Sequence, residues 1–392
     1  MPNNAAWDTA TTVPAEHATQ AVSLNVAARA AASGLSGFTA ETGFTVSDNN
    51  DGTLNIVDAQ SRFGAKPNGA KPVYFIDFGN GEDQPHAALS RMQTPIIWSS
   101  PCFIDSGISK AGSSASMIID SRQADSGGSV FEVPTTGPAR DADATLLLPA
   151  AVNTGRKYYR YYDVYNDFTV DEMMASVVEF SEASGPNFKQ HRWQSSNAQD
   201  TAYTPNVLQG FGYRFMFSGD GFGGVYDSYD TMMYDSRDAL VVPTWHREEE
   251  YHQVSSAAGT TDASMFIALD GQKLTSESRL NVDSHGGADP AAEANRWNHY
   301  KLGNFRFWAR PGDAQWRANL LYVDDSWCRV LITDKDNWLD TEGREQEIQI
   351  PVSWASADLD FHFRQGAHST LAGKYLWVVD NNDTKILIGG WA

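Results

Sequence analysis

Hydrophobic and polar residues alternate along most of the chain from residue 42 onward. The first such segments are 42–48, 52–58 and 71–78, and Asn-Asn-Asp-Gly between the first two is typical of a hairpin turn. Similar segments follow about every 10 to 20 residues, separated by Gly, Asn, Asp and Ser, among them KYYRYYDVY, FKQHRWQS and TWHREEEYHQ. Short strands at this spacing predict an all-β sandwich rather than alternating strands and helices.

Residues 1–35 have a different pattern, rich in Ala, Thr and Asn and weakly apolar. The stretch 15–34 predicts one helix of about 18 residues that ends at Gly34. A helix with so little apolar surface is marginally stable alone, so we expect the segment to pack on something. It could be an arm that docks on a partner subunit, or a tail folded back on its own domain.

The charge of the chain excludes two classes of partner. The sequence has 29 Lys and Arg against 49 Asp and Glu, a net charge of −20. Nucleic-acid binding relies on clustered basic side chains, and so does binding to an anionic membrane surface. We therefore expect neither nucleic acid nor membrane lipid as a partner.

The sequence contains no stretch that approaches the roughly 18 apolar residues of a membrane span. The N-terminus also lacks the basic and apolar regions of a signal peptide. We expect either that a leader has been removed or that the protein leaves its cell by a route that needs none, such as lysis. Cys102 and Cys328 are too few for a disulfide framework. They could form one bridge or remain two separate thiols.

Two distant segments resemble the two halves of an IPT/TIG immunoglobulin-like domain. Residues 52–72 resemble its opening strand and glycine turn, around Phe63-Gly64. Residues 347–381 resemble its closing half, with Pro351 and Trp354 at the entry, an alternating strand, a turn at Gly373 and a final strand. The resemblance implies one small Ig-like β-sandwich made from both ends of the chain.

The residues between these halves resemble the concanavalin A-like lectin/glucanase superfamily, including its LamG-like members. The resemblance rests on VYFIDFGNGED at 73–83, the strand led by Trp245, SMFIALDGQKL at 264–274 and NLLYVDDSWCRVLI at 319–332. It implies a concanavalin-like jelly-roll β-sandwich inserted into the Ig-like domain. The predicted division is an N-terminal arm at 1–35, an Ig-like domain at 36–71 plus 340–392, and a jelly roll at 72–339.

A jelly roll of this family usually binds carbohydrate across its concave face. Sugar recognition needs aromatic platforms and planar polar groups. The predicted strands KYYRYYDVY, FKQHRWQS and TWHREEEYHQ supply both kinds of group. The candidate carbohydrate-binding residues are Tyr159, Tyr161, Gln190, Arg192, Trp193 and Tyr251. The alternative is that one aromatic set packs in the sandwich core and the charged residues form cross-strand pairs.

An enzymatic function is less favoured by the motifs. The Glu-x-Asp-x-x-Glu motif of laminarinase-like hydrolases is absent, and Glu248-Glu249-Glu250 lacks its spacing. A polysaccharide lyase needs a His or Tyr base and a group that neutralises a uronate carboxylate. His191, Arg192, Arg247, Tyr251 and His252 supply these types, although the signatures of the alginate lyases are absent. If the chain is an enzyme, we expect a polysaccharide lyase.

One structural calcium ion is the expected cofactor. Many sandwiches of this family hold Ca²⁺ between the loop of the first strand and an Asp of the last strand. The resemblance places Asp77, Glu82 and Asp324 there, and their oxygen atoms suit calcium. The alternative is a set of solvated acidic turns.

Three functional hypotheses remain. The first, which we favour, is a protein displayed on a phage virion or another extracellular assembly, with the arm docked on other subunits and a jelly roll that binds a glycan. The second is a secreted polysaccharide lyase or glycan-binding protein of a marine bacterium. The third is a structural decoration protein without a ligand. All three predict an extracellular or virion-surface location.

Overall fold

The computed structural model describes residues 34–78, 82, 84–93, 314–338, 345–366 and 368–392, together with strands between them. Those strands lie within 116–119, 129–135, 142–147, 157–166, 187–194, 206–211, 214–219, 232–235, 245–253, 264–273 and 299–307. For most of them the backbone alone is described. Residues 1–33, which contain nearly all of the predicted arm, lie outside the described residues.

The described chain consists of strands. The first eleven are β1 Phe38–Ala40, β2 Phe44–Asp48, β3 Thr53–Asp58, β4 Tyr74–Asp77, β5 Ser116–Ile119, β6 Ser129–Thr135, β7 Ala142–Leu147, β8 Lys157–Asn166, β9 Asn187–Gln194, β10 Asn206–Phe211 and β11 Arg214–Gly219. The others are β12 Met232–Asp235, β13 Trp245–Gln253, β14 Ser264–Leu269, β15 Gln272–Lys273, β16 His299–Phe307, β17 Ala314–Asp324, β18 Arg329–Thr333, β19 Gln346–Trp354, β20 Asp358–His362, β21 Tyr375–Val379 and β22 Lys385–Trp391. All of their pairings are antiparallel, so the all-β prediction is confirmed.

Strands from both ends of the chain form one continuous path of eight, in the order β1-β22-β21-β18-β19-β20-β3-β2. The strand β19 belongs to two ladders, since its first half pairs with β18 and its second half pairs with β20. The register shifts between Pro351 and Ser353, where an irregularity of this kind bends a strand. The path therefore folds over on itself into a two-layered unit, which we call the frame sandwich.

Apolar residues from both halves of this path fill the inside of the frame sandwich. They include Leu54, Ile56, Leu359 and Phe361 from one half and Val330, Ile332, Leu376, Val378 and Ile388 from the other. All nine are no more than 2% exposed. Side chains alternate between the faces of a strand, so the alternating sequences of β3 and β20 supply this core directly.

The strand β18 lies within the range 72–339 that was predicted as the inserted jelly roll, yet it pairs with β19 and β21 of the frame sandwich. The turn at 325–328, which separates β17 from β18, carries the chain from one sheet to the next. The pairing of β3 with β20, some 300 residues apart, joins the two predicted halves of the Ig-like domain in one sheet. Its assignment to the IPT/TIG type stays a prediction.

The remaining strands form two further antiparallel sheets. One, which we call the tyrosine sheet, has the order β15-β14-β13-β8-β17-β6-β5, with β4 paired to β17. The other has six strands in the order β12-β11-β10-β9-β16-β7. Two sheets of this kind in the central part of the chain fit a jelly-roll body.

A second core joins the tyrosine sheet to the frame sandwich. It contains Phe75, Tyr159, Tyr161, Tyr251, Leu320 and Tyr322 from the tyrosine sheet and Trp327, Leu331, Ile348 and Ile350 from the chain that enters and forms the frame. On β18, Leu331 packs in this core while its neighbours Val330 and Ile332 pack inside the frame. The layer formed by β18 and β19 is therefore buried on both faces, which fixes the frame against the tyrosine sheet.

Among the described residues, no helix has the length and apolar character that crossing a membrane would require.

Candidate functional site

The six-stranded sheet places Arg192 at the centre of a row that crosses five strands. Arg192 on β9 lies opposite Gln209 on β10 and Lys301 on β16. Lys301 in turn lies opposite Thr145 on β7, and Gln209 lies opposite Met216 on β11. Residues directly opposite one another across an antiparallel pair lie on the same side of the sheet. This row is therefore mainly polar.

A second row on the same side runs through Gln194. Gln194 lies opposite Val207 and His299, two positions along the strand from Arg192. By alternation Gln190 belongs to this side as well. We call this side the polar face; its polar residues include Asp143, Thr145, Gln190, Arg192, Gln194, Gln209, Arg214, His299 and Lys301, and the apolar residues Leu147, Val207, Phe211 and Met216 share it.

The opposite side of the sheet has an apolar sequence. Its central row contains Phe217, Leu208, Trp193, Tyr300 and Leu146 in order across five strands. Polar residues on one side and apolar residues on the other are typical of a sheet with one face on a core and one toward solvent. The polar face is therefore the candidate binding surface.

This register divides the candidate carbohydrate-binding residues of β9. Gln190 and Arg192 share the polar face, whereas Trp193 lies on the apolar side together with His191. The sequence of β9 alone indicated this split, but it did not indicate the partners. Gln209, Lys301, His299 and Thr145 were missed, because they lie on strands distant in sequence from β9.

The three candidate tyrosines lie elsewhere, in the core beneath the frame sandwich. Tyr159, Tyr161 and Tyr251 are 0–2% exposed. The Tyr159 and Tyr251 hydroxyls each donate a hydrogen bond of 2.6 Å to Glu249, and Tyr161 donates one of 2.8 Å to the carbonyl of Gln346. An open groove was expected for these rings, but Leu331, Ile348 and Ile350 cover them. All three tyrosines therefore pack in the core, as in the alternative to a carbohydrate-binding groove.

Glu249 is the centre of a buried polar network in this core. Besides the two hydroxyls it accepts a hydrogen bond from the side chain of Gln346 and lies 3.6 Å from Nε of Arg329. Arg329 donates to the Tyr251 hydroxyl at 2.7 Å and to the Trp327 carbonyl at 2.8 Å. The network therefore links β8 and β13 of the tyrosine sheet to β18 and β19 of the frame.

Burial governs the ionisation of this network. Desolvation raises the pKa of Tyr159 and of Tyr251 well above the ordinary value, and Glu249 raises both further. Desolvation lowers the pKa of Arg329, but Tyr251, Tyr159, Asp383 and Glu249 more than reverse this and raise it overall. Tyr251 thus stays protonated and Arg329 stays charged, which suits a structural role and does not suit Tyr251 as a catalytic base.

The five candidate lyase residues are divided between two sheets. His191 and Arg192 lie on β9, whereas Arg247, Tyr251 and His252 lie on β13. Arg247 donates to the Gln346 carbonyl at 2.7 Å and pairs with Glu347 of the frame. His252 lies opposite Tyr158 in the register, and its side chain lies outside the described residues. Arg247 and Tyr251 are thus engaged in the joint with the frame.

The three candidate calcium ligands do not form one group. Leu320 is the register partner of Asp77 on β4, and Asp324 lies four positions further along β17, which is about 13 Å of strand. Asp77 lies 3.4 Å from Arg364, and Glu82 lies 3.3 Å from His86. Within the described residues, no three His, Cys, Asp or Glu side chains gather to hold a metal ion. The calcium ion stays a prediction that these positions do not support.

Asp324 has two cationic partners among the described residues. Its carboxylate pairs with the buried ammonium of Lys66 and lies 3.2 Å from Arg91, which also pairs with Asp325. Burial raises the pKa of Asp324 from 3.8 to about 6, against the opposing effect of Lys66 and Arg91. This cluster ties the loop after β3 to the end of β17.

A buried ion triad lies on the other face of the tyrosine sheet. Arg160 is fully buried and pairs with Glu248 and, at 2.8 Å, with Glu250. Glu248 and Glu250 thus lie on one side of β13 and Glu249 on the other, as strand alternation requires. Glu248 and Glu250 thus form cross-strand pairs with Arg160, as in the alternative given for the charged residues.

The comparisons with known proteins leave the family of the chain undefined. No protein-family model matches the sequence, and no curated protein matches it either. Among solved structures, the chain is similar to an alginate lyase mutant in complex with alginate tetrasaccharide (TM-score 0.31, 14% identity, 65% of this chain and 98% of that one).

Two further solved structures have comparable scores. One is the cellulose induced protein Cip1 (TM-score 0.31, 10% identity, 58% of this chain and 94% of that one). The other is the binding domain of botulinum neurotoxin serotype G (TM-score 0.36, 9% identity, 82% of this chain and 79% of that one). Likenesses at these scores carry no inference about the activity of this chain.

Proposed function

We propose that this chain is a displayed carbohydrate-binding protein whose ligand lies on the polar face of the six-stranded sheet. The observation that carries the proposal is the division of that sheet into a row of Gln209, Arg192, Lys301 and Thr145 on one side and an apolar row on the other. Amide, guanidinium, ammonium and hydroxyl groups are the donors and acceptors that bind sugar hydroxyls and carboxylates.

The tyrosine sheet supports binding without catalysis. Two of the five candidate lyase residues, Arg247 and Tyr251, are held by the frame sandwich, and burial raises the pKa of Tyr251. The frame in turn is fixed to the tyrosine sheet, because the layer of β18 and β19 packs in two cores at once.

Binding is tested by affinity electrophoresis of the full chain in gels that contain neutral or acidic polysaccharides. We expect retardation by at least one polysaccharide, and we expect Gln209→Ala to reduce it. Thr45→Ala, on the exposed side of β2 in the frame, is the matched control and should leave the retardation unchanged. The proposal fails if no polysaccharide retards the chain, or if Gln209→Ala behaves as the control does.

Catalysis is tested on the same polysaccharides by the absorbance of unsaturated uronate ends. We expect flat traces on alginate and glucuronan. A rising trace would replace the binding proposal with the lyase alternative, and Arg192 would then be the first residue to substitute.

The finer proposal concerns display on a phage particle or another extracellular assembly, with the N-terminal arm as the attachment. It is supported by the weakly apolar sequence of that segment and by the Ig-like resemblance of the frame. Because Leu35 packs on the frame core and Trp391 bonds the Gly34 carbonyl at 2.6 Å, a clean deletion stops at residue 33. We expect this deletion to abolish co-sedimentation with the assembly while urea unfolding of the frame is unchanged. Retained co-sedimentation would contradict the role of the arm.

A further inference from the structure

We infer that the polar face is specific for an anionic polysaccharide, a uronate chain whose carboxylates lie over Arg192 and Lys301. This inference rests on the proposed carbohydrate-binding function and names the class of its ligand. It is carried by the juxtaposition of Arg192 and Lys301 as register partners on neighbouring strands in the middle of the six-stranded sheet.

The charge of the two rows departs from the charge of the chain. The row through Arg192 and the row through Gln194 contain an arginine, a lysine and a histidine, His299, and they contain no Asp or Glu. The whole sequence has 49 acidic residues against 29 Lys and Arg. Like charges directly opposite each other destabilise a sheet, and the other direct register neighbours of this pair, Gln209 and Thr145, carry no charge. Asp143 lies on the same side, diagonal to Lys301, and is one acidic residue beside two cations. The excess of positive charge at the pair favours an external anion as its partner.

The spacing of the row matches a polysaccharide laid across the strands. Gln209, Arg192, Lys301 and Thr145 lie on four successive strands, β10, β9, β16 and β7. Neighbouring strands are about 4.8 Å apart, which is close to the length of one sugar residue, so the row spans about 14 Å. Three consecutive sugars therefore match the length of the row, and two adjacent sugars match the spacing of the strands that contain Arg192 and Lys301.

The chemistry of the row distinguishes charged from neutral ligands. A guanidinium binds a carboxylate with two parallel hydrogen bonds, and an ammonium binds it as a point charge. Esterification of the carboxylate keeps the sugar ring and its hydroxyls but removes the charge. Polygalacturonate and its methyl ester are thus a matched pair of probes, and so are alginate and its propylene glycol ester.

The test measures dissociation constants of the full chain for both members of each pair. We expect the acid form of at least one pair to bind about 10- to 100-fold more tightly than its ester, and this preference to shrink as salt rises. Arg192→Ala and Lys301→Ala should each remove most of the preference, and Lys301→Arg should retain it. Lys71→Ala, in the loop before β4, removes the same charge away from the sheet and should change nothing.

Each outcome separates this inference from the proposed function. Equal binding of acid and ester forms overturns the inference and leaves carbohydrate binding in place. Acid-selective binding that survives both alanine substitutions overturns the assignment of the two residues. Absence of binding to every polysaccharide overturns the proposed function and the inference together. Urea unfolding of each variant identifies any variant that fails to fold. The comparison of acid and ester forms on the unmodified chain does not depend on the variants and tests the inference by itself.

Discussion

The buried pair of Glu249 and Arg329 gives the sharpest prediction for the joint between the frame sandwich and the tyrosine sheet. We consider Glu249→Gln, Arg329→Met and the double variant. Both side chains are no more than 1% exposed, so water cannot replace the lost partners. A buried ion pair that loses one member is destabilised by about 3–5 kcal/mol.

The contacts of Glu249 give a consistent magnitude. In Glu249→Gln the two tyrosine hydroxyls at 2.6 Å bond to a neutral oxygen instead of a charged one, a loss of about 1 kcal/mol each. The new amide also meets the side-chain amide that donates to Glu249 from Gln346, which leaves a buried donor unsatisfied for about 1–3 kcal/mol more. We therefore expect a fall of about 4 kcal/mol in the free energy of unfolding.

Arg329→Met removes the bonds to Tyr251 and Trp327 and leaves Glu249 with its neutral donors. We expect a similar loss of about 4 kcal/mol. The double variant no longer buries an unpaired charge from this pair, so its loss should be smaller than the sum by about 2 kcal/mol.

The measurement is equilibrium urea unfolding followed by tryptophan fluorescence, since Trp327 lies in the same core. Asp358→Asn, at an exposed carboxylate whose partner is Asn55 at 2.7 Å, is the control and should change the stability by less than about 0.5 kcal/mol. Additivity of the two substitutions within about 0.5 kcal/mol would refute the coupling. If the single variants do not fold, Tyr159→Phe removes one hydroxyl alone and should cost about 1–2 kcal/mol.

Three further predictions concern other parts of the described chain. The pKa of Asp324 is raised from 3.8 to about 6 in the fold, so the native state binds the extra proton and wild-type stability should fall by up to about 3 kcal/mol as the pH rises from 4 to 6. In Asp324→Asn, the unfolding free energy measured in urea should lack this decrease between pH 4 and pH 6. The same decrease in the variant and the wild type would contradict the prediction. Cys328 is buried and burial raises its pKa to about 12, so in a Cys102→Ser background iodoacetamide should label it at pH 8 in urea but not in the native state. Labelling at equal rates in both would show an open core. A methyl group on Gly389 would lie 2.3 Å from the Thr39 carbonyl, so Gly389→Ala should lower the unfolding free energy by about 1–3 kcal/mol. A methyl group on Gly373 would meet nothing within 4 Å, so Gly373→Ala has backbone strain but no steric clash. In thermal unfolding of both variants, we expect Gly373→Ala to be less destabilised than Gly389→Ala. A larger destabilisation of Gly373→Ala would contradict the packing argument.

The sequence predicted local properties of the fold well. Segment 52–58 and the alternating strand within 347–381 were predicted as strands, and the structure buries the alternating residues Leu54, Ile56, Leu359 and Phe361 of β3 and β20, because burial of one face leaves a period of two in the sequence. The all-β class followed from such patterns, whereas a unit made from both chain ends was expected only from the resemblance to an Ig-like domain. These features depend on short-range periodicity or on motifs that the sequence contains directly.

The residues of the candidate site depend on pairing between distant strands. The row through Arg192 joins residues as far apart in sequence as Thr145 and Lys301, and alternation within β9 cannot name Lys301 or Gln209 as neighbours. The tyrosines of β8 were placed in a groove because sugar recognition needs aromatic platforms. The structure buries both faces, and the frame that covers one of them comes from segments remote in sequence.

The pairing of β1 with β22 also has a mechanical consequence. Phe38 lies opposite Trp391 and Ala40 opposite Gly389, and the amide of Ala392 bonds the Gly37 carbonyl at 3.0 Å. A pulling force applied between residues 34 and 392 would therefore load the hydrogen bonds at one end of this ladder first. Bonds perpendicular to the strands then break one pair after another, as in a zipper, instead of sharing the load. Tension that enters through the N-terminal segment would thus peel β1 away at low force and leave the two buried cores behind it intact.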